Sequence, residues 1–424
     1  MGKVFFKMSE TSLLKDEFIK GSFILFIMIN IFNFLNYLFH FSMARILGPA
    51  DYGILSVLMS IGYILGVSAE SIHNIVSRYT SKFNLNKKYG KIKNLLKRGF
   101  KKGFKISFII FLLYLPFAFL MSILLKIDFW LLAIVGILIF LDFFAPITRG
   151  ILQGIKKFTE LGISMISEGG SKLIIALLLV SFGLKVYGAI TAVVLSILVS
   201  VILTLFFLGK IIKSREERAD VKEVYSYSLS FFIAMVSITL IFSLDVIIAR
   251  IIFSPEIVGK YAVASILGKM IFFATQPISK AMFPFASESF DNNKNTRHLL
   301  YKALAFLVLL CSAALIIFLL FPEFLINLLF GANYIDVAGI LIFAGISFTI
   351  LSFTNLIIFY ALSKNKKNFS FYLPIFVVIE ISLLIVLSST LLQYSLALLF
   401  SNILMLLGTL ILIKNENKHN NSRT

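Results

Sequence analysis

Acidic residues are scarce in this chain. There are 21 Asp and Glu in 424 residues, against 40 Lys and Arg. Charge of either sign makes up 14% of the sequence, well under the roughly 25% of an ordinary soluble domain. The single cysteine, Cys311, excludes an internal disulfide and any CxxC motif. It lies in an apolar run, where a free thiol packs as a small hydrophobe. Four histidines and that one cysteine form no paired set that could hold a structural metal. No GxxxxGK[ST] loop is present, so ATP hydrolysis by that device is excluded. HExxH and GxSxG are absent too, which removes the zincin and nucleophile-elbow routes to catalysis. The expectation is a protein that is not an enzyme and carries no cofactor. The N-terminal "MGKVFFKMSETSLLKDEF" is polar and lacks the apolar core of a cleavable signal peptide.

What fills the chain instead is apolar surface, 59% of all residues. Runs of about 20 apolar residues recur throughout, each long enough to cross about 30 Å of hydrocarbon as a helix. They do not alternate as barrel strands do. Twelve spans are expected, near 21–44, 52–77, 105–125, 129–150, 160–182, 187–209, 228–251, 257–284, 299–321, 335–362, 370–388 and 391–413. The piece "FPEFLINLLFGANY" reads as an interfacial half-helix before the tenth. The net charge of +19 does not point to nucleic acid, because its placement is that of membrane loops. All but eight of the 40 basic residues fall at the termini and in alternate loops. The eight are Arg45, Lys126, Lys172, Lys185, Arg250, Lys260, Lys269 and Lys280. By the positive-inside rule both termini are expected in the cytoplasm. Heavy use of Lys, Ile, Phe and Asn fits an AT-rich prokaryotic genome, and the expected location is a prokaryotic plasma membrane.

The basic stretch "KYGKIKNLLKRGFKKGFK" sets Ile92, Leu95, Leu96, Phe100 and Phe104 at helical spacing between lysines and Arg98. That pattern is an amphipathic helix at the inner interface. Two uses stay open: an anchor on anionic lipids, or a surface that gathers a lipid diphosphate head group.

A short motif is written twice. "ARILGPADYG" at 44–53 and "ARIIFSPEIVGKY" at 249–261 align Ala44-Arg45-Ile46 with Ala249-Arg250-Ile251, Pro49 with Pro255, Gly53 with Gly259 and Gly62 with Gly268. Each copy ends an odd-numbered span and opens the next. Two parallel six-span repeats follow, related by an axis along the membrane normal. The lobes are expected at 1–215 and 216–424. Locally each copy is a tight turn, with Arg45 and Arg250 as rim residues.

Charged side chains at bilayer depth cost several kcal/mol and so face a partner or a cavity. Here they are Glu70, Asp142, Glu168, Asp245 and Glu380, with Lys172, Lys269, Lys280 and Arg149. Glu168 and Lys172 are four apart and can pair on one helix face. The first span carries a polar stripe of Asn30, Asn33, Tyr37 and His40, and the second continues with Glu70, His73 and Asn74. The repeat aligns His40 with Asp245, Glu70 with Gln276 and Asn74 with Lys280. Helix-breaking residues at Pro116, Pro146, Gly169-Gly170, Pro277, Pro284 and Pro374 are candidate bends, span eight above all.

Four stretches carry a family resemblance: "ARILGPADYGILSVLMSIG", "LDVIIARIIFSPEIVGKYAVASILGKM", "QPISKAMFPFASES" and "RGILQGIKKFTELGISMISEGGSKLIIALLLV". The chain resembles the polysaccharide flippases, the O-antigen and exopolysaccharide translocases of the multidrug/oligosaccharidyl-lipid/polysaccharide (MOP) exporter superfamily, over roughly 18–412. The resemblance implies an all-α integral membrane protein, about 12 transmembrane helices in two six-helix lobes, with the V shape of the MATE-like fold. It also implies movement of a polyprenyl-phosphate- or diphosphate-linked oligosaccharide to the outer leaflet by alternating access, through a cationic lumen. Lys172, Lys269, Lys280 and Arg149 are then candidate phosphate partners, with Asn30, Asn33, Tyr37 and Asn74 lining the lumen. Asp245, Glu70, Glu168 and His40 are candidate sites for a coupling ion, H+ or Na+. Lys280→Ala and Asp245→Ala are each expected to slow translocation while the protein stays folded. Expected partners are the lipid-linked glycan, membrane lipids and glycan-synthesis enzymes, with no nucleic acid, and the chain is expected as a monomer. Two alternatives remain: a cation-coupled exporter of small amphipathic compounds, and a non-transporting partner of glycan-synthesis enzymes.

Overall fold

The structure is a computed structural model that describes residues 2–219, 229–292, 295–364 and 366–421. Regular structure among the described residues is entirely helical. The helices are α1 Gly2–Leu65, α2 Ala69–Leu85, α3 Tyr89–Leu125, α4 Phe129–Gly154, α5 Phe158–Leu179, α6 Lys185–Phe207 and the short α7 Gly209–Lys213. After the 220–228 segment follow α8 Leu229–Ile252, α9 Pro255–Asp291, α10 Arg297–Leu320, α11 Pro322–Leu329, α12 Ala338–Ser363, α13 Leu373–Val386 and α14 Leu391–Asn421. α11 is the half-helix read in "FPEFLINLLFGANY".

Ten described segments are long and apolar enough to cross a membrane. Two of them, Ile27–Leu85 with 59 residues and Phe158–Phe207 with 50, are far longer than one span needs. Each contains a break. In α1, Gly48 takes φ 74°, a left-handed value suited to glycine, and Pro49 opens the next helical stretch. The second long segment is interrupted at Val180–Leu184, where Gly183 has φ 85°. Dividing both segments at these breaks brings the count to twelve spans. A further break, the 3-10 turn Gly66–Ser68, separates α1 from α2.

The bends do not fall where proline suggested. α3 and α4 continue through Pro116 and Pro146, and α9 runs unbroken from Pro255 to Asp291 past positions 277 and 284. Neighbouring helices hold a membrane helix together at a proline, and glycine sets the real breaks here. Pro374 sits in the first turn of α13, where its missing N–H costs nothing.

The chain divides into two compact units, Met1–Met43 with Ser68–Tyr225, and Ala44–Val67 with Ser226–Thr424. The lobes expected at 1–215 and 216–424 differ from these units in residues 44–67 and 216–225.

In the first unit, α2 packs on α4 through two glycines one turn apart. A Cβ at Gly150 would stand 2.7 Å from the His73 carbonyl, and one at Gly154 would stand 2.6 Å from that of Ser77. Small residues at this spacing let helix backbones approach closely in lipid. α3 is tied to α4 by Tyr114 Oη, which donates to Leu132 O at 2.9 Å, and α4 to α6 by Thr204 donating to Thr148 at 2.8 Å. Asp128 caps α4: its carboxylate accepts from Trp130 N at 3.0 Å and from the Tyr187 hydroxyl at 2.5 Å. The Tyr187 bond, with that backbone N–H, holds the Asp128 carboxyl below the usual carboxylate range.

The amphipathic helix is the first part of α3. Its apolar face is buried in protein: Ile92, Leu95 and Leu96 join Val76, Ile147, Ile151 and Leu208 in one core. Phe100 stacks on Phe144 at 4.8 Å, and Phe104 alone of the five stays exposed. The apolar face thus packs on α2 and α4, while Lys97, Arg98, Lys101, Lys102 and Lys105 stay exposed. Residues 214–219 lie along the same helix. Asn94 donates to Glu216 at 2.7 Å and accepts from Ala219 N at 3.1 Å, Lys97 pairs with Glu216 at 3.0 Å, and Lys93 donates to Ser214 O at 2.9 Å. The Asn94 amide and Lys97 hold Glu216 below the usual carboxylate range. A lowered carboxylate contributes above its unfolded value and loses that contribution as pH falls through the folded one. Proteolysis near 214–219 is therefore expected to be slow at neutral pH, and faster in Asn94→Ala and in strong acid. Equal cleavage of wild type and Asn94→Ala at neutral pH contradicts this strap.

In the second unit, the two copies of the repeated motif meet. A Cβ at Gly53 would stand 2.8 Å from Gly259 N and 2.9 Å from Pro255 O, and a Cβ at Gly259 would collide with Pro49 O. The contact is reciprocal: residues that align in the repeat also touch in space. Tyr52 adds ring contacts to Phe330 and Tyr334, and Tyr63 to Phe242. These contacts are why 44–67 groups with 226–424. Arg45 extends from the first turn to the C-terminus of α11, donating to the carbonyls of Asn327 at 3.2 Å, Leu328 at 2.5 Å and Leu329 at 3.2 Å. A guanidinium there satisfies carbonyls that a helix end leaves unpaired. Tyr334 Oη donates to Ala44 O at 2.7 Å. Arg250, the repeat partner of Arg45, is buried, so the two do not act as matched rim residues. Gly53→Ala is expected to cost about 1–3 kcal/mol by overpacking, read as a lower melting temperature. A variant as stable as wild type shows that the crossing is loose.

Candidate functional site

Charge inside the spans gathers in two places. In the first unit, Arg149 on α4 donates through Nη2 to Glu168 at 2.5 Å and to Ser200 at 2.7 Å. Asp142, two turns before Arg149 on α4, feels the Glu168 carboxylate. Lys172 is buried, bonds the Asn36 side chain and lies 5.0 Å over the Phe39 ring. The Glu168–Lys172 pair expected from spacing is replaced by Glu168–Arg149. A guanidinium on the facing helix reaches the carboxylate with aligned donors, while Lys172 turns to α1. Gly169 allows this approach, since a Cβ there would stand 3.0 Å from Leu35. His73 pairs with Gln153 across α2 and α4.

In the second unit, Asp245 on α8 is fully buried and collects donors from α9. Lys269 Nζ lies 2.9 Å from Oδ1, Ser265 Oγ donates to Oδ2 at 2.5 Å, and Tyr261 Oη donates to Oδ2 at 3.3 Å. Tyr261, Ser265 and Lys269 are each four apart, so one face of α9 presents all three. Tyr394 Oη, on α14, donates to the Asp245 carbonyl at 2.6 Å. Lys269 also lies over the rings of Phe242 at 5.0 Å and Phe348 at 5.5 Å. Lys269 stands about 21 Å along α9 from Pro255 at 1.5 Å per residue, near mid-membrane. Glu380 on α13 completes the group. It is 0% exposed, and neither carboxylate oxygen has a hydrogen-bond partner.

The remaining candidates sit on accessible faces. Glu70 and Asn74 on α2 are exposed, as is Arg78 one turn further on. Their repeat counterpart Lys280 on α9 is exposed, and Gln276 is half-buried. Lys280 lies about 37 Å along the helix from Pro255, and a hydrocarbon core is about 30 Å thick, so it stands at a membrane surface. Asn30 is exposed, Asn33 and Tyr37 are half-buried with Tyr37 stacked on Phe41 at 6.5 Å, and His40 is buried beside Phe39. Thus Lys269 and Asp245 come together, and so do Arg149 and Glu168, with Lys172 one turn from Glu168 on α5. Ser265, Tyr261, Tyr394, Asn36, Gln153 and Ser200 were not singled out. The four-residue spacing of Tyr261, Ser265 and Lys269 was the available signal for part of that set.

The described residues form a helical membrane protein with buried ion pairs inside its spans. Its fold is the MATE-like fold of the MOP superfamily. A MATE multidrug-resistance transporter of that superfamily in an inward-facing conformation aligns with TM-score 0.71 and 15% identity, over 92% of this chain and 95% of that one. A structure described as an outward-facing MATE transporter aligns with 0.67 and 15% identity, over 94% and 96%. A eukaryotic MATE transporter aligns with 0.66 and 14% identity, over 94% and 95%. No curated protein matches. The profile of the family described as polysaccharide biosynthesis protein matches residues 18–290, and the chain belongs to that family. It is a multi-pass, helical membrane protein with a MATE-like fold.

Proposed function

We propose that this protein moves a lipid-linked oligosaccharide, carried on a polyprenyl phosphate or diphosphate, from the inner to the outer leaflet of a prokaryotic plasma membrane. Both termini lie in the cytoplasm, the transport step is alternating access, and the glycan serves polysaccharide or surface-glycan synthesis. Membership in a polysaccharide biosynthesis family supports the substrate class. The observation that carries the reading is the exposed Lys280, at the depth where the head group of an inner-leaflet lipid sits, on the basic-loop side of α9. Arg78 and Asn74 on α2 offer a second polar face at the matching repeat position. A diphosphate cannot cross hydrocarbon bare, and a fixed cation at head-group depth gives it a first partner. Lys172, Lys269 and Arg149, already bonded to Asn36, Asp245 and Glu168, serve as phosphate partners only after those contacts open.

Lys280→Gln is the test. A charge-assisted hydrogen bond contributes about 1.5–3 kcal/mol, so the initial rate of flipping in proteoliposomes should fall about 10- to 100-fold at low substrate. The melting temperature should not change, since the side chain is exposed. A wild-type rate for Lys280→Gln removes this residue from substrate capture.

A further inference from the structure

The cluster around Asp245 contains two carboxylates and one ammonium, all buried. Its hydrogen bonds are distributed unequally. Asp245 receives Lys269, Ser265 and Tyr261, while both Glu380 oxygens go without a partner. The groups that bear on Glu380 are Asp245 from α8, Lys269 and Tyr261 from α9, and Tyr394 from α14. Only Lys269 among these is cationic, and it is bonded to Asp245. An ionised Glu380 would be a buried anion without donors, beside a second anion. That arrangement costs several kcal/mol, whereas a neutral carboxylic acid costs much less. Two acids whose surroundings differ this sharply divide their roles, one charged and one protonated.

We propose that Glu380 is a proton-binding site: it holds a proton in this conformation, and when the proton leaves to water the Lys269 ammonium passes from Asp245 to Glu380. The protonated cluster is neutral, with Asp245 negative, Lys269 positive and Glu380 neutral. Loss of the proton takes it to one net negative charge, and Ser265 and Tyr261 keep Asp245 solvated by two hydroxyl donors. Lys269 already supplies the cation that Asp245 needs, so the exchangeable ion is a proton rather than a metal cation. Exchange of the ammonium gives α8, α9 and α13 two alternative arrangements, one for each protonation state. As a coupling site this rests on the transport reading above; as a proton site it does not.

Infrared difference spectroscopy of the purified full chain in lipid nanodiscs separates the two. The wild type should show a protonated-carboxyl C=O band at neutral pH that Glu380→Gln removes, and added sodium should leave the band in place. A band that persists in Glu380→Gln, or one that sodium abolishes, overturns the proposal. Glu380→Gln and Glu380→Leu should both fold and melt within a few degrees of wild type, because a neutral site accepts neutral side chains. If neither folds, Glu380 is required as an anion and the proposal fails. In proteoliposomes, the flipping rate should follow an imposed pH gradient in the wild type and lose that dependence in Glu380→Gln. Gradient dependence retained in the variant refutes the coupling role. No flipping in any vesicle refutes the transport reading and leaves the infrared result to decide the proton site.

Discussion

Asp245→Ala is expected to destabilise the protein by about 3–5 kcal/mol, because it leaves a buried ammonium unpaired. Lys269 would keep its two aromatic neighbours and lose the carboxylate 2.9 Å away, and Glu380 could replace that carboxylate only by giving up its proton. The sequence suggested a variant that folds and transports poorly. Full burial of the pair changes that expectation to a failure of stability. Thermal unfolding in detergent should therefore show a large fall for Asp245→Ala. The double variant Asp245→Ala with Lys269→Met should regain most of it, since removing both charges of a buried pair is often close to neutral. A single variant that melts with the wild type would show that the pair is hydrated and contributes little.

The second large effect is expected at Arg149. Its guanidinium bridges Glu168 and Ser200, and Arg149→Met would leave Glu168 and nearby Asp142 as two carboxylates without it. The cost is about 3–5 kcal/mol by the same reasoning. Arg149→Lys should recover only part of that, because the shorter lysine side chain does not carry its ammonium out to the position of Nη2, the one nitrogen that meets both acceptors. Full recovery by lysine would mean that charge alone matters and that the Ser200 contact is incidental. Adding Glu168→Gln to Arg149→Met should restore stability if the unpaired carboxylate is the source of the loss.

The parts of this molecule legible in sequence are those written locally. Apolar runs gave the spans, basic loops gave an orientation to test, and the paired Pro–Gly motifs gave the repeat. One contact was not foreseen: Gly53 and Gly259, which align in the two motif copies, also touch. Partner choice inside the bilayer was less legible. Glu168 and Lys172 are neighbours along α5, yet Glu168 bonds a residue on α4 and Lys172 one on α1. Spacing on one helix cannot rank a partner on another. Glu380 was visible as an intramembrane acid, but its lack of donors depends on how α8, α9, α13 and α14 converge. Proline misled for a related reason: surrounding helices keep α9 continuous at 277, while Gly48 and Gly183 break the chain where positive φ is needed. The amphipathic stretch in α3 was read correctly as a helix. Its apolar face met α2 and α4 rather than lipid, a choice between two apolar environments that the pattern does not encode.

The central claim is that this member of the polysaccharide biosynthesis family carries a lipid-linked oligosaccharide between leaflets. The most direct measurement places the purified chain in proteoliposomes with a polyprenyl-diphosphate-linked oligosaccharide in both leaflets. A membrane-impermeant glycosidase then digests the outward-facing sugar. The account predicts that digestion proceeds from about half of the sugar toward completion in vesicles containing the protein, and stops near half in protein-free vesicles. Digestion that stops at half in both, by a protein that is folded and reconstituted, contradicts it.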